Sequence, residues 1–238
     1  MKGMRKSILV LMFLLFHAVL YAQHTEAEDK GETIRKKMAL AFGGEKNINK
    51  LRLLDYTVID HTFVRGSSYP TRTHYRLDLQ KRHIIETTHH EGGTSIRAID
   101  DSGAWKEVDG AREPLAVEEK VQLEHVLFYN FLAMLQNRDL KFRHLLTCHY
   151  KGEEAEIVQV TNPHTLQDIH LIISKSTFTV LASSQQQSGS KQETMSYRDE
   201  KEYRRVGRGL IFPLAYHLYV DGELASEGRV VDMKLRDK

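Results

Sequence analysis

Histidines are the side chains of this sequence whose number and spacing could support metal chemistry. The chain has 238 residues, and 13 of them are His. His83 and His89 fall on one face of a predicted strand, but at ~3.3 Å per residue they lie roughly 20 Å apart, too far for one metal ion. A site would need histidines from neighbouring strands, such as His61 or His74. No H-E-x-x-H or comparable motif occurs, so we predict no metal ligands and interpret these histidines as exposed strand residues.

Nucleophilic catalysis and nucleotide binding have no motif in the chain. No G-x-S-x-G is present. Cys148 and His149 are adjacent in a predicted strand, so their side chains point to opposite faces and cannot form a dyad. Gly207-Arg208-Gly209 lacks both the third glycine and the following helix of a dinucleotide-binding loop, and no P-loop occurs. We therefore predict no catalytic residue and no cofactor, and we expect that the protein is not an enzyme.

A cluster of arginines near the C-terminus could contact an anionic headgroup or a phosphate. It consists of Arg204, Arg205 and Arg208. Glu200 and Glu202 lie beside it in the sequence, and mixed charges of this kind are typical of a solvated edge strand. We therefore interpret the cluster as an exposed edge.

The first element that could position these residues is a helix near the N-terminus. Apolar side chains at i, i+4 and i+7 predict a helix over residues 27–42. Gly43-Gly44 would end it, because glycine adopts left-handed backbone conformations without steric cost. Residues 45–51 could add one or two turns, with Ile48 and Leu51 facing inward.

Most of the remaining chain has the period of two that is typical of strands. Residues 53–108 predict a meander of about five strands, of which residues 71–80 alternate most clearly. Residues 193–207 predict a charged strand pair, and residues 210–220 form the longest alternating run. About ten or eleven strands are predicted in all. A single sheet of that size tends to curl into a barrel or half-barrel.

A second helix is predicted to interrupt the strands at residues 114–137. Pro114 is a suitable first helical residue, and apolar side chains then recur at helical spacing. The half from Val126 to Leu135 is apolar almost throughout, which indicates a helix buried on several sides. We expect it to lie against or inside the concave side of the curved sheet.

Residues 1–22 have the parts of a secretory signal peptide. Three basic residues precede an apolar run, and Ala22 precedes the expected cleavage site. The segment Ile8 to Ala22 is shorter than the ~20 residues needed to span a bilayer, which favours a cleaved signal over a membrane anchor. No cysteine lies near the cleavage site, which excludes attachment of a lipid to a new N-terminal Cys. We therefore expect a periplasmic protein without a lipid anchor.

Removal of the signal peptide also changes the charge of the chain. The whole chain has 34 basic and 32 acidic residues, and the first 22 residues hold three of the basic ones and none of the acidic ones. The net charge falls from +2 to −1, so no nucleic-acid partner is expected. Residues 23–238 fit one domain, since no linker divides them, and we expect a monomer. Cys148 is interpreted as a small buried strand residue, which suits an oxidising compartment.

The order of elements resembles the LolA/LolB-like superfamily of periplasmic lipoprotein carriers and the related outer-membrane lipoprotein-sorting-like proteins. Four segments carry the resemblance: Ala41-Phe42-Gly43-Gly44-Glu45, the short helix leading into Leu51–Tyr56, the turn and tryptophan of Asp100–Trp105, and Tyr203–Pro213. The resemblance implies a mostly β fold with two main helices, in which a curved antiparallel sheet forms an unclosed β-barrel with a helical lid. It also implies an exported protein that holds an acyl chain in the hollow.

The function that we expect is therefore non-catalytic binding of an apolar ligand in the cell envelope. The partner would be a hydrophobic small molecule or a lipidated protein, with transient contact to a membrane or an envelope protein. The side chains expected to form the ligand wall are Tyr75, Leu77, Trp105, Phe128, Phe131, Leu171, Phe178, Phe212 and Leu214. Three alternatives stay open: a fully packed interior, an envelope scaffold that binds a protein, and a metal-dependent hydrolase that uses His61, His74 or His83.

Overall fold

A computed structural model describes residues 25–64, 67–108, 110–163, 167–187 and 194–237. The predicted signal peptide, residues 1–22, lies outside these ranges. The described helices are α1 (residues 25–41), α2 (Glu45–Lys50), α3 (Val117–Tyr129) and α4 (Phe131–Gln136). The strands are β1 (Leu51–Val64), β2 (Ser67–Asp78), β3 (His83–His90), β4 (Gly93–Asp100), β5 (Gly103–Val108), β6 (Ala111–Pro114), β7 (Lys141–Tyr150), β8 (Glu153–Asn162), β9 (Gln167–Ser174), β10 (Val180–Gln187), β11 (Thr194–Gly207), β12 (Leu210–Val220) and β13 (Glu223–Asp237).

In the part of the chain that the structure describes, the strands form one antiparallel sheet of 13 strands that does not close. From edge to edge the order is β6-β5-β4-β3-β2-β1-β13-β12-β11-β10-β9-β8-β7. The chain therefore forms one meander from β1 to the edge β6, passes through α3 and α4, and returns from the other edge, β7. Pairing of the long strands β1 and β13 joins the two halves. The expected unclosed barrel with a helical lid is confirmed.

The helices fill the concave side of the sheet, because each buries an apolar face there. In α1, Met38 is fully buried and Phe42 follows the helix directly with no exposed surface. The Phe42 ring lies 5.9 Å from the rings of both Phe131 and Tyr203, and its carbonyl accepts a hydrogen bond from Ile211. Burial of each such side chain is worth roughly 1.5–3 kcal/mol. These contacts attach α1 to the sheet and to α4.

The first predicted helix and its end are confirmed. Two glycines end α1 as expected, since Gly43 and Gly44 have positive φ angles of 115° and 90°. The short helix α2 follows, and Ile48 and Leu51 are 1% and 0% exposed. They face inward, as the pattern predicted.

The prediction of one helix over residues 114–137 is wrong. Pro114 ends the edge strand β6, where it pairs with Trp105, and an edge strand tolerates the missing N–H of proline. The helical part is also divided in two. Asn130 has an extended ψ of 126°, and its side chain accepts a hydrogen bond from the backbone N–H of Leu132. An asparagine that caps the following helix in this way ends the preceding one.

Two further expectations about strands need correction. Residues 194–207 form one strand, β11, and not a strand pair. It lies between β10 and β12 in the sheet order, but its pairing with β10 ends at Asp199, so Arg204 and Arg205 pair only with β12. All three arginines of the cluster are exposed, as expected. Cys148 lies in strand β7, but it is half-buried and not fully buried.

None of the helices within the described ranges is both long and apolar enough to cross a membrane.

Candidate functional site

A cavity of about 130 Å³ lies between the concave face of the sheet and the two lid helices α3 and α4. Strands from both halves of the sheet contribute its floor, and the helices form its roof. The lining residues are Tyr56, Val58, Tyr75, His125, Val126, Tyr129, Asn130, Phe131, Ile169, Ser183, Arg198, Glu200, Phe212, Tyr216 and Val230. Apolar and polar side chains therefore share the wall.

Aromatic side chains from three strands form one part of the floor. Tyr56 on β1 and Tyr75 on β2 are cross-strand partners, so their side chains share a face of the sheet. Their ring centres are 5.3 Å apart, and the Phe212 ring on β12 lies 6.1 Å from Tyr56. Burial raises the pKa of Tyr56 to about 12. The tyrosines therefore stay neutral and present both apolar faces and hydroxyl groups.

An ion pair from strand β11 forms the polar side of the cavity. Arg198 and Glu200 are two positions apart on a strand, so both face inward. Arg198 Nε lies 2.8 Å from Glu200 Oε1, and 1% of the Glu200 side chain is exposed against 38% of the Arg198 side chain. Both residues line the cavity. Burial raises the pKa of Glu200 to about 7, although Arg198 acts in the opposite direction.

A second polar contact crosses strand β13 beside this pair. The Tyr216 hydroxyl on β12 donates a hydrogen bond to Asp60 on β1, and Gly228 on β13 lies opposite both residues. A Cβ atom at Gly228 would come within 2.2 Å of the Tyr216 ring, so only glycine leaves room for the contact. Burial raises the pKa of Asp60. The Arg198 guanidinium stacks on the same Tyr216 ring, 3.8 Å from its centre.

The roof contributes a histidine to the cavity. His125 on α3 lies 4.6 Å from the Tyr129 ring, measured between ring centres. Burial, and to a smaller extent the charge of Arg198, lowers the pKa of His125 to about 4. Its imidazole is therefore neutral near pH 7. Within the described residues, His125 Nδ1, Arg198 Nε and Glu200 Oε2 have no hydrogen-bond partner although all three atoms are buried.

The two helices of the roof are held to different extents. The residues Phe131–Leu135 of α4 are all buried. The Gln136 side chain donates hydrogen bonds to the carbonyls of Ile48 and Leu51, and Arg35 donates one to the Leu135 carbonyl. Helix α4 is therefore part of the core.

Helix α3 is held by buried leucine side chains and by an ion pair to strand β5. Leu123 and Leu127 are buried, whereas Val117 is 73% exposed. Lys106 on β5 pairs with Glu119 at 3.1 Å, and Glu119 also accepts a hydrogen bond from the backbone N–H of Ala116. Asn130 separates α3 from α4.

Three of the nine predicted site residues meet at the cavity, namely Tyr75, Phe131 and Phe212. Leu77 and Leu171 are fully buried core residues away from it. Phe178 packs against the core with Lys37 over its ring at 4.8 Å, and Leu214 also packs against the core. Phe128 lines a separate groove at the end of the lid.

Trp105 lies on the other face of the sheet. Its neighbour Lys106 pairs with Arg97, which belongs to the face that carries Tyr75, and adjacent residues of a strand point to opposite faces. Trp105 Nε1 donates a hydrogen bond to Asp100, and the Arg112 guanidinium stacks on its ring at 3.9 Å. Trp105 is therefore not part of the cavity wall.

The polar residues of the cavity were not among the predicted site residues. Arg198 and Glu200 lie in a charged segment that looks solvated in sequence, and His125 directly follows the charged residue Glu124 in α3. The one available signal was the i, i+2 spacing of Arg198 and Glu200, which places opposite charges on one face of a strand.

The histidines considered for metal binding are dispersed over the sheet. His74 Nε2 lies 2.8 Å from Asp55 Oδ1, His83 Nε2 lies 3.3 Å from Asp101 Oδ1, and His89 bonds Thr94. Within the described ranges, no group of three or more His, Cys, Asp or Glu side chains is placed to hold a metal ion.

Comparison with known proteins gives matches in structure and not in sequence. No protein family and no curated protein matches the sequence. A LolA superfamily protein from Nitrosomonas europaea superposes with a TM-score of 0.63 at 12% identity, over 87% of this chain and 94% of that one. An outer membrane lipoprotein-sorting protein domain from Vibrio parahaemolyticus gives a TM-score of 0.60 at 9% identity, over 88% and 93%. A DUF1329 family protein from Desulfovibrio piger gives 0.57 at 8% identity, over 88% and 93%.

These similarities define the fold class. The chain has the LolA-like fold, an open antiparallel barrel whose concave side is covered by helices. The predicted resemblance to LolA superfamily and lipoprotein-sorting structures is confirmed at the level of the fold.

Proposed function

We propose that this chain is a non-catalytic carrier that binds the hydrocarbon part of a lipid or a lipidated protein between the concave sheet and the lid. The observation that carries the proposal is the cavity beneath α3 and α4, whose apolar wall includes Val58, Phe131, Ile169 and Phe212. The name of the Vibrio parahaemolyticus domain, lipoprotein sorting, supports the same class of ligand.

The cavity is smaller than a typical ligand pocket. Ligand pockets have volumes of roughly 300–1,000 Å³, whereas this cavity has about 130 Å³. An acyl chain would therefore have to displace part of the roof. Helix α3 is the part that we expect to move, with Asn130 as the hinge, since α4 is hydrogen-bonded to both α1 and the end of α2.

The carrier would act in the periplasm. Residues 1–22 would be removed as a signal peptide, and residues 23–238 would form a single LolA-like half-barrel domain. The mass of the protein recovered from a periplasmic fraction tests this part. The expected mass corresponds to a chain that begins after Ala22, and a full-length mass in the membrane fraction would contradict it.

Ligand binding can be tested on protein purified from the cell envelope. Native mass spectrometry should show a bound hydrophobic molecule, and the stripped protein should bind an apolar fluorescent probe such as N-phenylnaphthylamine saturably. A clean ligand-free mass, together with no probe binding, would overturn the proposal.

A pair of matched variants locates the binding site. Ile169→Phe fills the cavity, because Ile169 lines it, and should weaken probe binding by about tenfold or more, with a stability cost of at most about 1–3 kcal/mol. Ile172→Phe adds the same volume on the opposite face of β9 and should leave probe affinity unchanged. Equal loss of affinity in both variants would place the site elsewhere.

A further inference from the structure

We propose that the polar wall of the cavity recognises a carboxylate, so that the ligand is a free fatty acid or another single-chain carboxylic acid held with its head group inward at Arg198. This inference rests on the proposed carrier function and names the ligand class. It separates a free acid from a lipoprotein acyl chain, whose carboxyl group is already an ester or an amide.

The first argument is the presence of a charged pair in a hollow that a hydrocarbon chain alone would not require. Arg198 and Glu200 both line the cavity, and their contact is an ion pair without hydrogen-bond alignment at Arg198 Nε. Removal of two charges from water costs several kcal/mol per ion, and well-packed apolar residues often serve stability as well or better. A polar group on the ligand gives this buried pair a function.

The second argument is that buried polar atoms beside the cavity lack a hydrogen-bond partner. Buried polar atoms without a hydrogen bond are rare, and each one needs an explanation. Two of them belong to cavity residues on two different elements, Nδ1 of His125 on α3 and Oε2 of Glu200 on β11. Arg198 Nε also lacks an aligned hydrogen bond, but it lies 2.8 Å from Glu200 Oε1. Because these atoms belong to residues that line one cavity, a polar group of a bound ligand would supply the missing hydrogen bonds.

The third argument is charge. Among the described lining residues Arg198 is the only cation near neutral pH, because the pKa of His125 is lowered to about 4 by burial. Once Glu200 is protonated, the Arg198 guanidinium matches one negative charge. A phosphate monoester carries roughly −1.5 to −2 near pH 7 and would leave charge uncompensated beside Asp60 and Glu200. A carboxylate is the simplest anion that fits.

The fourth argument is volume. At ~30 Å³ per water-sized group, a cavity of about 130 Å³ holds roughly four such groups. That is enough for a carboxylate and the first one or two carbons, and far too little for an acyl chain. The head group would therefore occupy the existing cavity, and the tail would extend beneath the displaced helix α3.

Binding of the carboxylate would change the state of Glu200. The incoming anion takes the place of Glu200 beside Arg198, and Glu200 takes up one proton from solvent. Burial already raises the pKa of Glu200 to about 7, so little work is needed to protonate it. The titratable and charged groups that face this position are Arg198 on β11, Asp60 and Tyr56 on β1, Tyr75 on β2, Tyr216 on β12 and His125 on α3. The charge of Asp199, on the other face of β11, also raises the pKa of Glu200.

A series of ligands with one chain length tests the proposal on the unmodified protein. Calorimetric titration compares decanoate with methyl decanoate, decanol, decyl phosphate and decylamine. Because a hydrogen bond to a charged group is worth ~1.5–3 kcal/mol, decanoate should bind about tenfold or more tightly than the ester and the alcohol. Tighter binding of the phosphate or the amine than of decanoate would overturn carboxylate recognition.

Variants identify the residue responsible. Arg198→Met should weaken decanoate binding by about 10- to 100-fold and leave methyl decanoate within about threefold. Arg204→Met on the same strand is the matched control, because Arg204 is 67% exposed, and it should change neither affinity. The double variant Arg198→Met/Glu200→Gln removes the whole ion pair and serves if the single variant does not fold.

The outcomes separate this inference from the proposed function. Equal affinities for the acid, the ester and the alcohol, with no effect of Arg198→Met, would overturn carboxylate recognition and support a carrier of plain hydrocarbon. Absence of binding across the whole series would overturn the carrier function and this inference together.

Discussion

Glu200 and His125 should contribute opposite pH dependences to the stability of the protein. Burial raises the pKa of Glu200 from 4.5 to about 7, so its stabilising contribution is complete below pH 4.5 and is lost as the pH rises through 7. Burial lowers the pKa of His125 from 6.5 to about 4, so its contribution is complete above pH 6.5 and is lost as the pH falls through 4. Between about pH 4.5 and 6.5 the two contributions oppose each other.

The size of each contribution follows from linkage. A difference of one bound proton between the unfolded and folded states changes the free energy of unfolding by ~1.4 kcal/mol per pH unit. Each group therefore contributes up to about 3 kcal/mol over its whole window. In the native protein the two slopes cancel in the shared window, so single substitutions should reveal them.

The assay is urea unfolding from pH 4.5 to 6.5, followed by the fluorescence of Trp105, the single tryptophan of the chain. Relative to the native protein, Glu200→Gln should gain ~1.4 kcal/mol of stability per unit of rising pH, and His125→Phe should lose the same amount. The double variant should run parallel to the native protein. Glu223→Gln, at an exposed position that begins β13, is the control and should also run parallel.

The outcome that would refute this reasoning is a difference from the native protein that stays constant with pH in both single variants. It would mean that neither side chain changes its proton affinity on folding. The cavity would then be open to water, because only removal from water displaces the two pKa values in opposite directions. Slopes of the same sign in the two variants would contradict the assignment of burial as the common cause.

Further substitutions test the packing around the cavity and the lid. Gly228→Ala should cost about 1–3 kcal/mol, because the new methyl group meets the Tyr216 ring, whereas Gly92→Ala meets only a flexible side chain and should be nearly neutral in urea unfolding. Asn130→Ala removes the cap of α4 and should cost ~1 kcal/mol, with faster probe association in stopped-flow fluorescence; unchanged association would argue against a hinge there. Tyr203→Phe removes a hydrogen bond to a backbone carbonyl and should lower the unfolding free energy by ~1 kcal/mol, and a neutral result would show that the bond contributes nothing.

The fold was largely predictable from local pattern. The alternation of residues 71–80 corresponds to most of β2, and Thr73 and Leu77 are buried as the period of two requires. The stop at Gly43-Gly44 was readable because positive φ strongly favours glycine at that point. Such features depend on steric and hydrophobic preferences that act within a few residues.

The candidate site was less predictable, because it depends on which distant strands share a face. Apolar character alone cannot distinguish the cavity wall residue Phe212 from the core residue Leu171, since both are buried on inward-facing positions. It also cannot show that Trp105 faces outward, because a strand pattern defines two faces without saying which is concave. The register across several strands decides both questions.

The sequence by itself determined the alternating strands, the glycine stop and the presence of an apolar segment able to cover a curved sheet, because these follow from local sterics and from the period of burial. Only the tertiary structure decided that this segment breaks at Asn130, that Pro114 belongs to an edge strand, and that Arg198, Glu200 and His125 meet in one hollow. The physical reason is that burial changes the character of a charged side chain, and burial depends on elements that are far apart in the chain.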